Sequence, residues 1–401
     1  MVAGASGYEA NKGCAYVYER NVRDTNAWDL VTQLTASDGT ANDLFGASVT
    51  VAGDVVVIGA YGDETNRGSA YVYERNVGGT NVWGEVKKLT ASDGATNDHF
   101  GASLAVAGDA VVIGAYGDET NRGSAYVYER NVGGTNVWGE VKKLTASDGA
   151  TNDLFGASVA VAGDAVVIGA RGDETDRGSA YVYERNVGGT NVWGEVKKLT
   201  ASDGAVSDKF GWSIAVAGDV VMIGAQGDDS SKGAAYVYER NVGGTNTWGQ
   251  VKKLTASDGA ASDQFGVAVA VAGDVVVVGA NGDDASKGAS YLYERNAGGT
   301  NAWGQVKKLT ASDGVAGDDF GYSVAVAGDV VVVGAFSDDA IKGSAYVYER
   351  NAGGTNAWGQ VNKLTSSDGE GGDSNIELDA AAVDLVEVGA ASYRNTDDEG
   401  K

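Results

Sequence analysis

The chain has 401 residues, 43% hydrophobic and 21% charged, a balance that allows a packed core. Its formal net charge of −25, from 55 acidic and 30 basic side chains, repels phosphate backbones and excludes nucleic acid as a partner. Sixty-two glycines without one proline, where ordinary usage near 5% predicts about twenty, indicate tight turns between strands rather than collagen or a flexible linker.

The first element is the strand-like Val2–Ala5, VAGA, with Met1 directly against it and no charged-then-apolar leader before it. The expectation is a mature portion or an excised fragment of a longer protein. No apolar run reaches the ~18 residues of a membrane span, so membrane insertion is not expected. Cys14 is the only cysteine and precludes an internal disulfide. Serines stand at its counterparts Ser69 and Ser124, so the position reads as a site for any small side chain and the thiol as buried and inert.

From Trp28 onward the chain is periodic. Trp28, Trp83, Trp138, Trp193, Trp248, Trp303 and Trp358 are 55 residues apart, and only Trp212 falls outside the series. YVYER or YLYER recurs seven times, and Phe-Gly six times from Phe45 to Phe320, degenerating to Asn375-Ile376 at the seventh. The text from Gly68 to Asp98 repeats unchanged from Gly123 to Asp153, the mark of recent duplication or of a consensus sequence.

Each unit predicts four strands, here in the copy beginning at Phe100. FGASLAVAG alternates larger and smaller residues, and a Gly108-Asp109 turn leads to AVVIGA, an apolar run suited to a strand covered on both faces. SAYVYER from Ser124 alternates Tyr126 and Tyr128 with small residues. WGEVKKLTA from Trp138 carries lysine on an otherwise amphipathic strand, as an outer edge does. No segment reads as a helix. Four antiparallel strands graded from small and apolar to charged describe a propeller blade. The fold class is therefore all-β, a seven-bladed β-propeller forming one domain over 1–401, with internal blades at about 36–90, 91–145, 146–200, 201–255, 256–310 and 311–365.

The last element is LDAAAVDLVEVGA from Leu378. The expectation is a closing blade of residues 366–401 plus 1–35, in which the C-terminus supplies the two inner strands and the N-terminus the two outer ones. Val2–Ala5 and Glu387–Ala390 both match the second strand, so one copy must be displaced. Deleting Leu378–Lys401 is expected to open the ring.

Phe-Gly opening the first strand, Gly-Ala closing the second and Ala-Tyr-Val-Tyr in the third resemble FG-GAP repeats, and the resemblance covers essentially the whole chain. Such repeats form the seven-bladed propeller of integrin α-subunits and of many bacterial surface proteins. The resemblance implies an extracellular or cell-surface setting, a role in adhesion or recognition, and ligand binding on the upper face. The proline of the family's Gly-Ala-Pro triplet is replaced here by Tyr61, Tyr116, Arg171, Gln226, Asn281 or Phe336. The loop that binds calcium in integrin-type repeats is reduced to Ala-Gly-Asp, as at Ala107–Asp109, too short for the six or more oxygens calcium needs.

Comparison between blades isolates three variable positions. They precede Phe-Gly (Leu44, His99, Leu154, Lys209, Gln264, Asp319), follow it (Ala47, Ala102, Ala157, Trp212, Val267, Tyr322), and follow Gly-Ala, as given above. All three gather at one mouth of the channel. The ligand-binding candidates are Tyr61, His99, Tyr116, Arg171, Lys209, Trp212, Gln226, Asn281, Tyr322 and Phe336, where aromatic and polar groups together suit a glycan or a peptide. The alternative is drift at exposed loop ends.

Asp63, Asp118, Asp173, Asp228, Asp283 and Asp338, each within an acidic loop, are candidate ligands of calcium, the one cofactor considered. The competing reading is that these aspartates and the DGxxxD pairs, such as Asp93 with Asp98, make turns, or that nearby Arg122 and Lys232 pair with them. Arg171-Gly172-Asp173 spells an integrin-recognised tripeptide once and reads as chance. Catalysis is not expected. His99, the only histidine, has no triad partner, and acidic pairs that might hydrolyse glycosides recur around the ring instead of marking one site. The function read from the sequence is non-catalytic recognition of a glycan or protein ligand by a monomeric module. The alternatives are a structural spacer and a glycoside-acting enzyme.

Overall fold

The computed structural model describes residues 1–20, 28–245, 247–300, 302–365 and 380–382, with the side chains of 340, 341 and 380–382 outside the description. Seven four-stranded antiparallel sheets follow one another around a ring. In blade 2 the strands run Ser103–Ala107, Ala110–Ala115, Ser124–Arg130 and Trp138–Leu144, innermost to outermost. The second strand is buried along its whole length, as its unbroken apolar run requires. The outer strand buries only its ends, Trp138 and Leu144, and exposes Val141 and Lys142.

The core lies between blades rather than within them. One cluster joins Val55, Val57, Val72 and Leu89 of blade 1 to Phe100, Val111, Ile113, Tyr126 and Trp138 of blade 2, and the pattern recurs at every junction. The Phe-Gly motif serves this packing. Phe100 is wholly buried, edge-on to Tyr126 and Tyr128 at 5.5 and 6.1 Å. Gly114 of the Gly-Ala pair lies so close to the next blade that a Cβ would sit 2.0 Å from the Gly156 carbonyl oxygen. Gly156, the glycine of the next Phe-Gly, adopts φ +90°, which only glycine enters without strain.

Ring closure differs from the expected two-plus-two division. The closing blade takes three strands from the N-terminus, Val2–Ala5, Cys14–Arg20 and Trp28–Leu34, and one innermost strand, Ala380–Ala382, from the C-terminus. Val2–Ala5 is therefore the second strand, paired with Cys14–Val17 on one side and 380–382 on the other. The rival copy, Glu387–Ala390, lies outside the described residues. The N-terminal strands make the closure. Met1, Ala3, Tyr16 and Trp28 share a core with Val330, Val332 and Leu364 of blade 6. Arg20 meets Glu349 at 2.8 Å, completing a ring of seven Arg–Glu ion pairs between successive blades.

Candidate functional site

The second-to-third connection of each blade is hydrogen-bonded to the fourth-to-first connection entering the next. His99 donates its backbone N–H to the Asn66 carbonyl, and Phe100 donates to Arg67. Both connections thus share one face, the upper one, as the strand order requires. The first-to-second turns lie opposite, where Asp109 pairs with Arg130 at 3.1 Å.

The second-to-third connection contains a tight turn that no periodicity in the sequence announced. At Glu119, Thr120 and Asn121 three consecutive residues adopt φ of 48°, 62° and 62°, a left-handed turn repeated in blades 1 to 5 and in the closing blade. Each such residue is disfavoured by roughly 1–2 kcal/mol, so the turn persists only because its surroundings impose it. In the six internal blades a buried aspartate precedes it. Asp118 is 6% exposed and accepts from Ser124 Oγ at 2.5 Å and Lys143 Nζ at 2.6 Å.

Lys143 also bridges to Asp93 at 2.6 Å, and the Tyr126 hydroxyl donates to Asp93 at 2.7 Å. Burial opposes ionisation of Asp93, but the hydrogen bonds from Lys143 and Tyr126 outweigh it and hold the carboxyl below its usual value. The same contacts raise the Lys143 ammonium against the effect of burial. Equivalent lysines, Lys88, Lys198, Lys253, Lys308 and Lys363, bridge Asp63, Asp173, Asp228, Asp283 and Asp338 to the aspartate of the preceding connection.

An ammonium group therefore stands beside each of the six aspartates expected as metal ligands. Among the described residues no cluster of three or more acidic, histidine or cysteine side chains is arranged to hold a metal. The 350 Å³ cavity above blade 5 follows this rule, with Lys308 beside Asp258 and Asp283. The second acid of the DGxxxD pair has a separate task. Asp98 accepts the Ala95 N–H at 2.6 Å, closing a turn.

In the closing blade the acid and its cation are replaced together. There Tyr8 replaces the buried aspartate, Cys14 the serine and Gln33 the lysine, and Tyr8 is hydrogen-bonded to Gln33. The three exchanges remove the buried acid, its cation and its hydroxyl donor together. The position takes only small residues, as expected, and where it is serine the hydroxyl also donates to the acid. Where alanine stands there, at Ala234 and Ala289, the hydroxyls of Tyr236 and Tyr291 approach Asp228 and Asp283 at 3.4 and 3.3 Å.

Above this invariant layer lie the variable side chains. The position before Phe-Gly is left-handed in all six internal blades, with φ from 56° at His99 to 58° at Leu44. Leucine, histidine, lysine, glutamine and aspartate occupy the same backbone geometry, so the backbone does not dictate this side chain.

Six of the ten candidates form a continuous arc over blades 1 to 4. His99 stacks on Tyr116 of its own blade, centroids 4.8 Å apart, and meets Tyr61 of the preceding blade at 5.9 Å. Burial raises the Tyr116 hydroxyl, and the nearby Arg171 charge counteracts it. Arg171 lies over the Trp212 ring of the following blade at 4.2 Å, and Lys209 approaches that ring at 5.5 Å. Burial pushes the His99 imidazole below its ordinary value. Tyr322 and Phe336 form a separate stacked pair at 4.8 Å in blade 6. Gln226 and Asn281 lie between the arc and that pair, each with a buried side-chain oxygen that accepts no hydrogen bond.

Arg171 and Asp173 do not form a presented tripeptide. Arg171 rests on Trp212, whereas Asp173 is buried against Lys198 and Ser179.

No curated protein matches the chain. Two crystal structures of Sqt1 from Chaetomium thermophilum are similar in fold. One has a TM-score of 0.51 at 14% identity, covering 91% of this chain and 84% of Sqt1. The other has a TM-score of 0.50 at 15% identity, covering 91% and 82%. At such identity the likeness concerns the fold alone. Six segments, 28–73, 83–128, 138–183, 193–238, 248–293 and 303–348, match the FG-GAP repeat. Each holds the outer strand of one blade and three strands of the next, so the sequence unit straddles the junction where the core lies. With these six segments filling well over half of its length, the chain belongs to the FG-GAP repeat family.

Proposed function

We propose that this propeller is a non-catalytic recognition module of a secreted or cell-surface protein, binding a glycan or protein ligand on its upper face. The FG-GAP propeller is an interaction fold, which supports the coarser part of this reading. The observation that carries the finer part is the arc from Tyr61 to Lys209. Side chains that differ from blade to blade, on a backbone that does not differ, converge on one sector of one face. A purely structural spacer gives no reason for that convergence.

The test is a glycan-array assay run with calcium and again with chelator. Saturable binding that survives chelator is the expected result, because lysine ammonium groups stand beside the loop aspartates. Binding lost with chelator would transfer the site to the acidic loops. A silent array would leave a protein ligand or a spacer role.

A further inference from the structure

Arg171 is unusual among the described arginines, and Lys209 lies beside it on the same ring. Every other arginine among the described residues is in salt-bridge contact with a carboxylate, yet Arg171 meets the face of Trp212 instead. Lys209 approaches the same ring and has no carboxylate partner either. In a chain of net charge −25, two cations gathered on one indole, with Asp176 the acid that acts on Arg171, form a local anion receptor. The guanidinium carbon lies 4.2 Å from the centre of the Trp212 ring, and a guanidinium covered on one face by an indole can still take a carboxylate or sulfate through two bonds at its N–H edge.

Lys209 also borders a cavity of 270 Å³ between blades 3 and 5, lined with Ser207, Gln226, Ser231, Gln264 and Asp176. Apart from Lys209 this lining is polar, its hydroxyls and amides able to donate as well as accept. The side-chain oxygen of Gln226 is buried and accepts nothing, and Asp176 adds a carboxylate. A ligand that satisfies the whole site must bring negative charge for Arg171 and Lys209 and hydroxyl donors for Gln226 and Asp176. A bare anion supplies only the first, and a neutral sugar only the second.

We infer that the Arg171–Trp212–Lys209 cluster and the adjoining cavity form a subsite for an acidic saccharide, its anionic group on Arg171 and Lys209 and its hydroxyls in the cavity. This deepens the upper-face reading and rests on it. An acidic peptide would satisfy the cations but lacks the dense hydroxyl donors that the cavity asks for.

The experiment titrates the full chain calorimetrically with galacturonate oligomers, their methyl esters, sulfated dextran, neutral dextran and poly-glutamate. Variants come from sister blades to preserve the fold: Arg171→Asn, the residue at Asn281, and Lys209→Leu, the residue at Leu44. Unchanged melting curves confirm that preservation. Binding of either acidic polysaccharide supports the inference, and which one binds identifies the anion. Loss of one charge-assisted contact should weaken binding about tenfold or more in Arg171→Asn, with a smaller loss in Lys209→Leu. Esters binding as tightly as free acids, variants binding as wild type, or poly-glutamate matching the saccharides would overturn it. If neutral glycans bind the array while no acidic polymer binds, the acidic-saccharide subsite fails and the upper-face reading stands. If nothing binds either way, the acidic-saccharide subsite fails together with the glycan part of the upper-face reading.

Discussion

Replacing Lys143 with glutamine should destabilise the propeller, whereas converting the whole set to that of the closing blade should not. Asp118 is 6% exposed and takes its cation from Lys143. Removing one partner of a buried pair costs about 3–5 kcal/mol, because the other charge stays desolvated. Lys143 is itself 23% exposed, so water relieves part of that cost. Ser124 Oγ continues to donate at 2.5 Å. About 2–3 kcal/mol is the reasoned loss. With an unfolding entropy of roughly 2 cal/mol/K per residue, a chain of this length melting as one unit should lose about 3 °C. The triple variant Asp118→Tyr, Ser124→Cys, Lys143→Gln reproduces Tyr8, Cys14 and Gln33, a set the fold already accommodates. It removes the buried charge with its cation and should melt closer to wild type than Lys143→Gln does. Calorimetry of the three proteins at neutral pH and one ionic strength decides the matter. Equal losses in single and triple variants, or none in the single, would refute the idea that the acid and the lysine stand or fall together.

Three further outcomes follow from the same contacts. Asp38, Asp93, Asp148, Asp203, Asp258 and Asp313 are held below the ordinary carboxylate value of 3.8, so they stabilise the fold above it and cease to as pH falls through their lowered values. Asp98, Asp153 and Asp208, raised chiefly by burial, act oppositely but are fewer, so melting temperature should fall between pH 5 and pH 2, and a flat profile there would contradict the network. Gly114→Ala places a Cβ 2.0 Å from the Gly156 carbonyl oxygen and should cost at least about 2–3 kcal/mol, read in a denaturant midpoint; a neutral result would show that neighbouring blades can part there. Deleting residues 378–401 removes the strand 380–382 but leaves the Arg20–Glu349 pair and the blade 6 core, so a modest fall in melting temperature with a single cooperative transition is expected. A split transition would restore the expectation that the C-terminus holds the ring shut.

Much of the architecture was legible because the repeat enforces it. The spacing of Trp28 to Trp358 counts the blades, and the Phe-Gly and Gly-Ala motifs mark where blades touch, since Phe100 and Gly114 have no other place to pack. The division of the closing blade was not legible, because VAGA and VEVGA fit the second strand equally well and only pairing with Cys14–Val17 separates them. The role of Asp118 was hidden for a different reason. Its cation, Lys143, lies 25 positions away on the outer strand, and Asp93, which Lys143 also bridges, comes from the preceding connection. The signal was present, since Tyr8, Cys14 and Gln33 change together in the one blade that lacks the pair. The variable positions were visible by comparing blades, but their contacts were not. That His99 joins Tyr61 to Tyr116, and that Arg171 reaches forward to Trp212, depends on how one blade leans on the next.

The measurement that bears most directly on upper-face recognition compares two triple variants on the glycan array. One carries Arg171→Asn, Lys209→Leu and Trp212→Ala, each the residue of a sister blade at that position. The other carries Asp109→Asn, Asp164→Asn and Asp219→Asn on the opposite face, where those aspartates are largely exposed. Loss of binding in the first with retention in the second, both folded, is the predicted result. Retention in the first with loss in the second would place recognition on the other face and contradict the account.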